Sequence, residues 1–179
     1  MGRLQNKVAI VSGAAGGIGS AISRAFAVEG ASVLGVDTDA PSLEALGNAV
    51  RAAGGRASTL CADVADEDAA RSAVARARNE LGGIDILVCG AVADVPLAPV
   101  TKLSLADWRR TFAVNLDSAF LLSKHAIPAM GGVPIKRAAN AVAGRLYSSC
   151  GAPFCSMRPS RIRTMRSAMV MASLWSCVT

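Results

Sequence analysis

The chain has 179 residues, 52% of them apolar and 4% aromatic, with a formal net charge of +6. That length suits one domain with a true core. No apolar run reaches the length of a bilayer span, Met1 to Lys7 is too short and polar for a secretory signal, and five cysteines at irregular spacing (61, 89, 150, 155, 177) argue against a disulfide framework or a zinc cluster, so a cytoplasmic location with no membrane partner is expected.

The first apolar run predicts a strand over residues 7–11. It feeds the loop Ser12-Gly13-Ala14-Ala15-Gly16-Gly17-Ile18-Gly19, and an amphipathic helix follows over 18–29. A strand leading through glycines into a helix is an anion-binding device. The first N–H groups of the helix point outward, and its dipole adds partial positive charge. Glycine allows the tight turn and a close approach by a diphosphate. A second strand is predicted over 32–37. Its last residue, Asp37, lies eighteen positions after Gly19, about where a dinucleotide fold places the carboxylate that binds ribose hydroxyls.

A helix over 41–53 is predicted next, with Pro41 suited to its first turn and Gly54-Gly55 to its stop. A strand over 56–61 and a helix over 66–81 follow. Asp66, Glu67 and Asp68 favour the helix's positive end. Residues 84–88 read as a short strand. Ser104 is placed to cap a helix beginning near Leu105, and an apolar-rich stretch runs over 111–126 before Pro128. This alternation predicts an α/β fold, a doubly wound parallel sheet of Rossmann type with helices on both faces.

The pattern breaks after Met130. All thirteen acidic residues lie at or before Asp117, and residues 131–179 hold seven basic residues and no acid. The excess positive charge therefore belongs to one segment. Its Arg residues lack aromatic interleaving, and no nucleic-acid partner is expected. A fifth parallel strand is due in this region, yet residues 136–141 have little β-branched character. The expected organisation is a dinucleotide-binding domain over 1–130 and a divergent basic tail over 131–179, leaving the sheet incomplete at the C-terminal side.

Residues 5–130 resemble the short-chain dehydrogenase/reductase family. Ser12 to Gly19 matches its cofactor loop, Thr-Gly-x-x-x-Gly-x-Gly. The resemblance implies that Ser12, Gly13, Gly17, Ile18 and Gly19 border the cofactor. It also implies that Asp37 favours NAD over NADP, since a carboxylate accepts from ribose hydroxyls and repels a 2′-phosphate. Asp63-Val64 matches an Asp-Val element that contacts adenine. Asn115, within Val114-Asn115-Leu116, matches the Asn of the family's catalytic tetrad, and Ile127-Pro128-Ala129-Met130 resembles the end of the helix that carries it. The substrate implied is a small-molecule alcohol or carbonyl compound. Homo-oligomers in the family pair through the helix bearing Asn115 and the one after it, so self-association is open.

Three departures stand out. The family's Asn-Asn-Ala-Gly element falls on Cys89-Gly90-Ala91-Val92, which keeps the Ala alone. The Ser, Tyr and Lys of the tetrad fall near Ala141, Phe154 and Arg158. Tyr147 is followed four residues on by Gly151, so it cannot supply the Tyr-x-x-x-Lys pair. Carbonyl reduction needs a proton on oxygen, and Phe154 has none to exchange. Losing a positioned acid or base costs about 10²–10⁴ in rate. The family is also usually longer than this chain. A frame shift just past Met130 would explain these changes together; the competing explanation is a diverged paralogue.

Plainer readings stand beside these. Asn115 could cap or bridge backbone, Asp63 could be a turn residue, and Asp37-Thr38-Asp39 could be a solvated turn. His125, the one histidine, is expected on a helix face rather than as a ligand, and no metal site is expected. The expected function is NAD-dependent hydride transfer between an alcohol and a ketone or aldehyde, impaired by the missing Ser, Tyr and Lys. The alternative is a catalytically inactive nucleotide-binding remnant that acts by binding or association.

Overall fold

The computed structural model describes residues 2–96 and 98–130. Its strands are β1 (Val8–Ser12), β2 (Ser32–Asp37), β3 (Arg56–Cys61) and β4 (Ile86–Cys89), and its helices are α1 (Gly17–Val28), α2 (Ala40–Ala52), α3 (Glu67–Arg76), α4 (Leu105–Phe112) and α5 (Ser118–Ala126). All strand pairs are parallel, in the order β3-β2-β1-β4. The chain steps outward from β1 through β2 to β3, then returns to the far side of β1 as β4. The sheet's topological switch point therefore lies between β1 and β4, the place where open α/β sheets bind ligands beyond their C-terminal strand ends.

Side chains alternate across the sheet and build two cores. On one face Val8, Ile10, Leu34 and Val36 pack with Ala70, Ala73 and Val74 of α3 and Leu122 and Ala126 of α5. On the other, Val11 and Val33 pack with Leu43, Leu46 and Val50 of α2 and with Ile22 and Phe26 of α1. Every residue of β1 is buried, as a central parallel strand covered on both faces must be.

The elements form where the sequence marks them, with local shifts. The β4 strand begins at Ile86 rather than 84. Ile84 is buried ahead of it, and Asp85 turns aside to accept hydrogen bonds from the Val8 N–H (2.9 Å) and Lys7 Nζ (3.1 Å). The helix expected through 81 is regular only to Arg76 and widens into a π-helical turn over Ala77–Leu81. A second widened turn, Ala113–Asp117, joins α4 to α5. No helix among the described residues is long and apolar enough to cross a membrane. The expectations for Ala141, Phe154, Arg158 and the basic tail lie outside the described residues.

Candidate functional site

The start of α1 differs from those of α2, α3 and α4; α5 continues straight out of the widened turn before it. Asp39 caps α2, Asp66 caps α3 and Ser104 caps α4, each accepting from main-chain N–H groups of its own first turn. At α1 the N-cap is Gly16, which offers no side-chain acceptor, and no acid stands in the first turn. The opening N–H groups of a helix have no intrahelical partner. Among the described residues no side chain takes up that donor set at α1.

The glycines of this loop are held for different reasons. Gly13 has φ +69°, and a Cβ there would sit 2.3 Å from the Gly90 carbonyl oxygen. A Cβ on Gly19 would sit 2.0 Å from the Gly13 carbonyl oxygen, so α1 packs directly on the loop. A Cβ on Gly17 would meet nothing within 4 Å, and Ile18 beside it is 81% exposed. Gly17 and Ile18 thus form the open side of the turn. Ser12 lies behind it, fully buried, its hydroxyl accepting from the Gly90 N–H (3.1 Å) and facing the Val88 carbonyl. Ser12 therefore ties β1 to β4 at the switch point.

A cleft lined by Gly13, Asp37, Asp63, Val64, Ala91 and Arg110, among others, opens beyond the strand ends. The Asp37 carboxylate bridges into the glycine loop. Its Oδ2 accepts from the Ala15 N–H (2.9 Å), and its Oδ1 accepts from Thr38 (2.7 Å) and Asp39 (3.1 Å). A carboxylate has about four acceptor positions, so among the described residues these three bonds leave one, on Oδ2. Asp63 Oδ1 accepts from the Ala65 N–H (3.0 Å) and its Oδ2 from Arg110 Nη1 (2.8 Å). The Ala65 N–H, and after it Arg110, hold the Asp63 carboxyl below the usual carboxylate range against an opposing push from partial burial.

Asn115 sits in the widened turn between α4 and α5. Such turns recur at functional sites, where they re-aim side chains. Its Oδ1 accepts from the Ala93 N–H at 2.9 Å and holds the segment that leaves β4 against the helix. Ala93 also lines the cleft. Cys89, where the family pattern has Asn, closes β4; burial pushes its thiol pKa up.

The cleft thus gathers Gly13, Asp37, Asp63 and Val64. Gly17, Ile18 and Gly19 stand at the adjoining turn, and Asn115 reaches the site through Ala93. Sequence reasoning missed Arg110. The available signal was its spacing: Arg110 and Val114 lie four apart on one helix face, and both line the cleft. Among the described residues no three His, Cys, Asp or Glu side chains converge to hold a metal.

The sequence profile of the short chain dehydrogenase family matches residues 7–142. The chain belongs to this family. Among its short chain dehydrogenase relatives, a D-threitol dehydrogenase of Mycolicibacterium smegmatis is 36% identical over 177 residues, covering 97% of this chain and 66% of the relative. A cis-4-hydroxycyclohexanecarboxylate dehydrogenase of Sinomonas cyclohexanicum is 40% identical, covering 68% of this chain and 48% of its own length. The solved structure of a short-chain dehydrogenase/reductase from Burkholderia xenovorans superposes with TM-score 0.67 at 41% identity, over 73% of this chain and 53% of that one. The chain therefore spans about half to two thirds of the length of these relatives. Family members use NAD(P) and act on small-molecule alcohols.

Proposed function

We propose that this chain binds NAD in the cleft beyond β1, β2 and β3, and that its hydride transfer between an alcohol and a ketone or aldehyde is impaired. The observation that carries the binding reading is the uncapped start of α1 beside a cleft edged by Asp37. The donors there fit a pyrophosphate, and Gly17 leaves room for it where a side chain would project. The free acceptor position of Asp37 fits a ribose hydroxyl, and its negative charge opposes a 2′-phosphate, which favours NAD over NADP. Asp63 offers an acceptor and Val64, next to it, a main-chain N–H; together they suit the amino group and a ring nitrogen of adenine.

When bound, the nicotinamide supplies hydride chemistry, and the protein must supply the proton. Asn115 is the tetrad member in the described residues, and its side-chain carbonyl accepts from the Ala93 N–H. Phe154 and Arg158, where Tyr and Lys are due, support binding with little turnover. Arg keeps a charge there but does not deprotonate in proteins.

Titrating the full chain into NADH and following nicotinamide fluorescence tests this. Binding is expected in wild type and about tenfold weaker in Asp37→Ala, a loss typical of a hydrogen bond to a charged group. A folded chain that leaves NADH fluorescence unchanged at millimolar protein would end the reading.

A further inference from the structure

Arg110 and Asp63 come from distant parts of the chain and meet at one end of the cleft. Asp63 follows β3; Arg110 lies on α4 and donates Nη1 to Asp63 Oδ2 at 2.8 Å. Asp63 is gripped from its other side too. Its Oδ1 accepts from Ala65 N–H, and its main-chain oxygen accepts from Asp66 N–H at 3.0 Å. Among the described residues each carboxylate oxygen has one partner and keeps one acceptor position. A free Asp turns broadly about its terminal torsion. Here that rotation is stopped, and the stop on Oδ2 is Arg110. As an ordinary surface tie between α4 and the loop after β3, the pair would contribute little, since its side chains are 51% and 39% exposed.

We propose that Arg110 is a positioning residue for base recognition: it locks the Asp63 carboxylate so that the cleft distinguishes a 6-aminopurine from a 6-oxopurine. This rests on the dinucleotide reading above. A 6-aminopurine presents a donor where a 6-oxopurine presents an acceptor. A carboxylate only accepts, so a fixed one bonds the first and repels the second. A carboxylate free to swing away avoids the repulsion and loses the discrimination. Sites built around a required hydrogen bond reject analogues that lack it.

The probes are NADH and reduced nicotinamide hypoxanthine dinucleotide, both fluorescent through the same nicotinamide, titrated against the full chain. Wild type is expected to prefer NADH by about tenfold or more. Arg110→Met is expected to cut that preference to about threefold or less, and Arg110→Lys to keep most of it. Asp63→Asn is expected to abolish it, with no further change on adding Arg110→Met. Thermal unfolding of each variant confirms a folded sample. If Arg110→Met weakens both dinucleotides by one factor, or alters neither, Arg110 is a structural tie and the inference fails. A wild type that binds NADH without preferring it overturns the inference and leaves the dinucleotide reading standing. A wild type that binds neither removes both.

Discussion

Gly13, Gly17 and Gly19 share one loop and answer to opposite demands. Gly13 and Gly19 are forced by the protein's own backbone, with a Cβ contact at 2.3 and 2.0 Å respectively. Gly17 is under no such constraint. Gly19→Ala should therefore destabilise by about 1–3 kcal/mol, as overpacked sites do. Gly17→Ala should leave stability unchanged or slightly raised, since Ala suits a helix better than Gly. Yet Gly17→Ala should weaken NADH binding about tenfold or more, because its methyl enters the open space we propose for the diphosphate. Thermal unfolding read beside fluorescence titration separates the two effects; a Gly17→Ala chain that binds like wild type would mean the open space serves no ligand. At this scale the glycine loop was legible because backbone close approach permits few residue types. Asp37 was legible by its distance from the loop, but its grip on the Ala15 N–H was not. That bond depends on how the loop folds back over β2. Arg110 was illegible because an arginine on a helix is ordinary until its partner from another segment arrives.

Between elements, buried apolar faces do most of the joining, and single carboxylates fix the ends. Asp85 binds the Val8 N–H and Lys7 where β1 and β4 begin, and these bonds, the Val8 N–H foremost, hold its carboxyl below its ordinary value of 3.8. The Lys124 and His125 side chains on α5 likewise hold Glu67, at the start of α3, below its ordinary value of 4.5. Hydrogen bonds from neighbouring groups hold the Glu29, Asp39, Asp63 and Glu80 carboxyls low in the same direction. A folded-state value lowered in this way contributes stability that is complete above the unfolded value and drains away as pH falls through the folded one. Stability should therefore hold level down to about pH 5 and decline below about pH 4. Asp85→Ala should cost about 1–2 kcal/mol at neutral pH, for the unpaired Val8 N–H, and the gap to wild type should narrow below pH 3.8. Urea midpoints across pH read this directly; a gap constant into acid would assign the cost to packing instead. The strands and helices themselves were largely legible, because Pro41, the acids Asp66 to Asp68 and Ser104 mark helix starts and the apolar periods are clean; the cap that Asp39 gives α2 was read only as a turn residue. The two widened turns were not. A slip of the hydrogen-bond ladder by one residue has no compositional mark, and it decides where Asn115 points.

Across the whole molecule, one sheet of order β3-β2-β1-β4 is built from residues whose charges nearly balance, while the excess of basic residues lies wholly in 131–179. Two histories account for that contrast and make opposite predictions. If translation leaves the family frame just past Met130, another frame of the same coding DNA must encode a Ser followed by a Tyr-x-x-x-Lys at the family spacing from Asn115. In that case the double variant Phe154→Tyr and Arg158→Lys gains no turnover, because the side chains around the restored pair are foreign to the site. If the chain is a diverged paralogue, neither frame restores the motif. The double variant should then recover alcohol-dependent NADH formation by about 10²-fold or more, the usual worth of a positioned acid–base group. The loss of every acid at one point, together with a family profile that ends at residue 142, favours the first history. The alignment with D-threitol dehydrogenase over 177 residues, which must run through most of the basic segment, favours the second. We expect the frame test to restore the motif. Its absence from both alternative frames would transfer the burden to the variant assay, with threitol among the alcohols tried and Ala141→Ser added to the double variant, since Ala141 also stands where the family has its Ser.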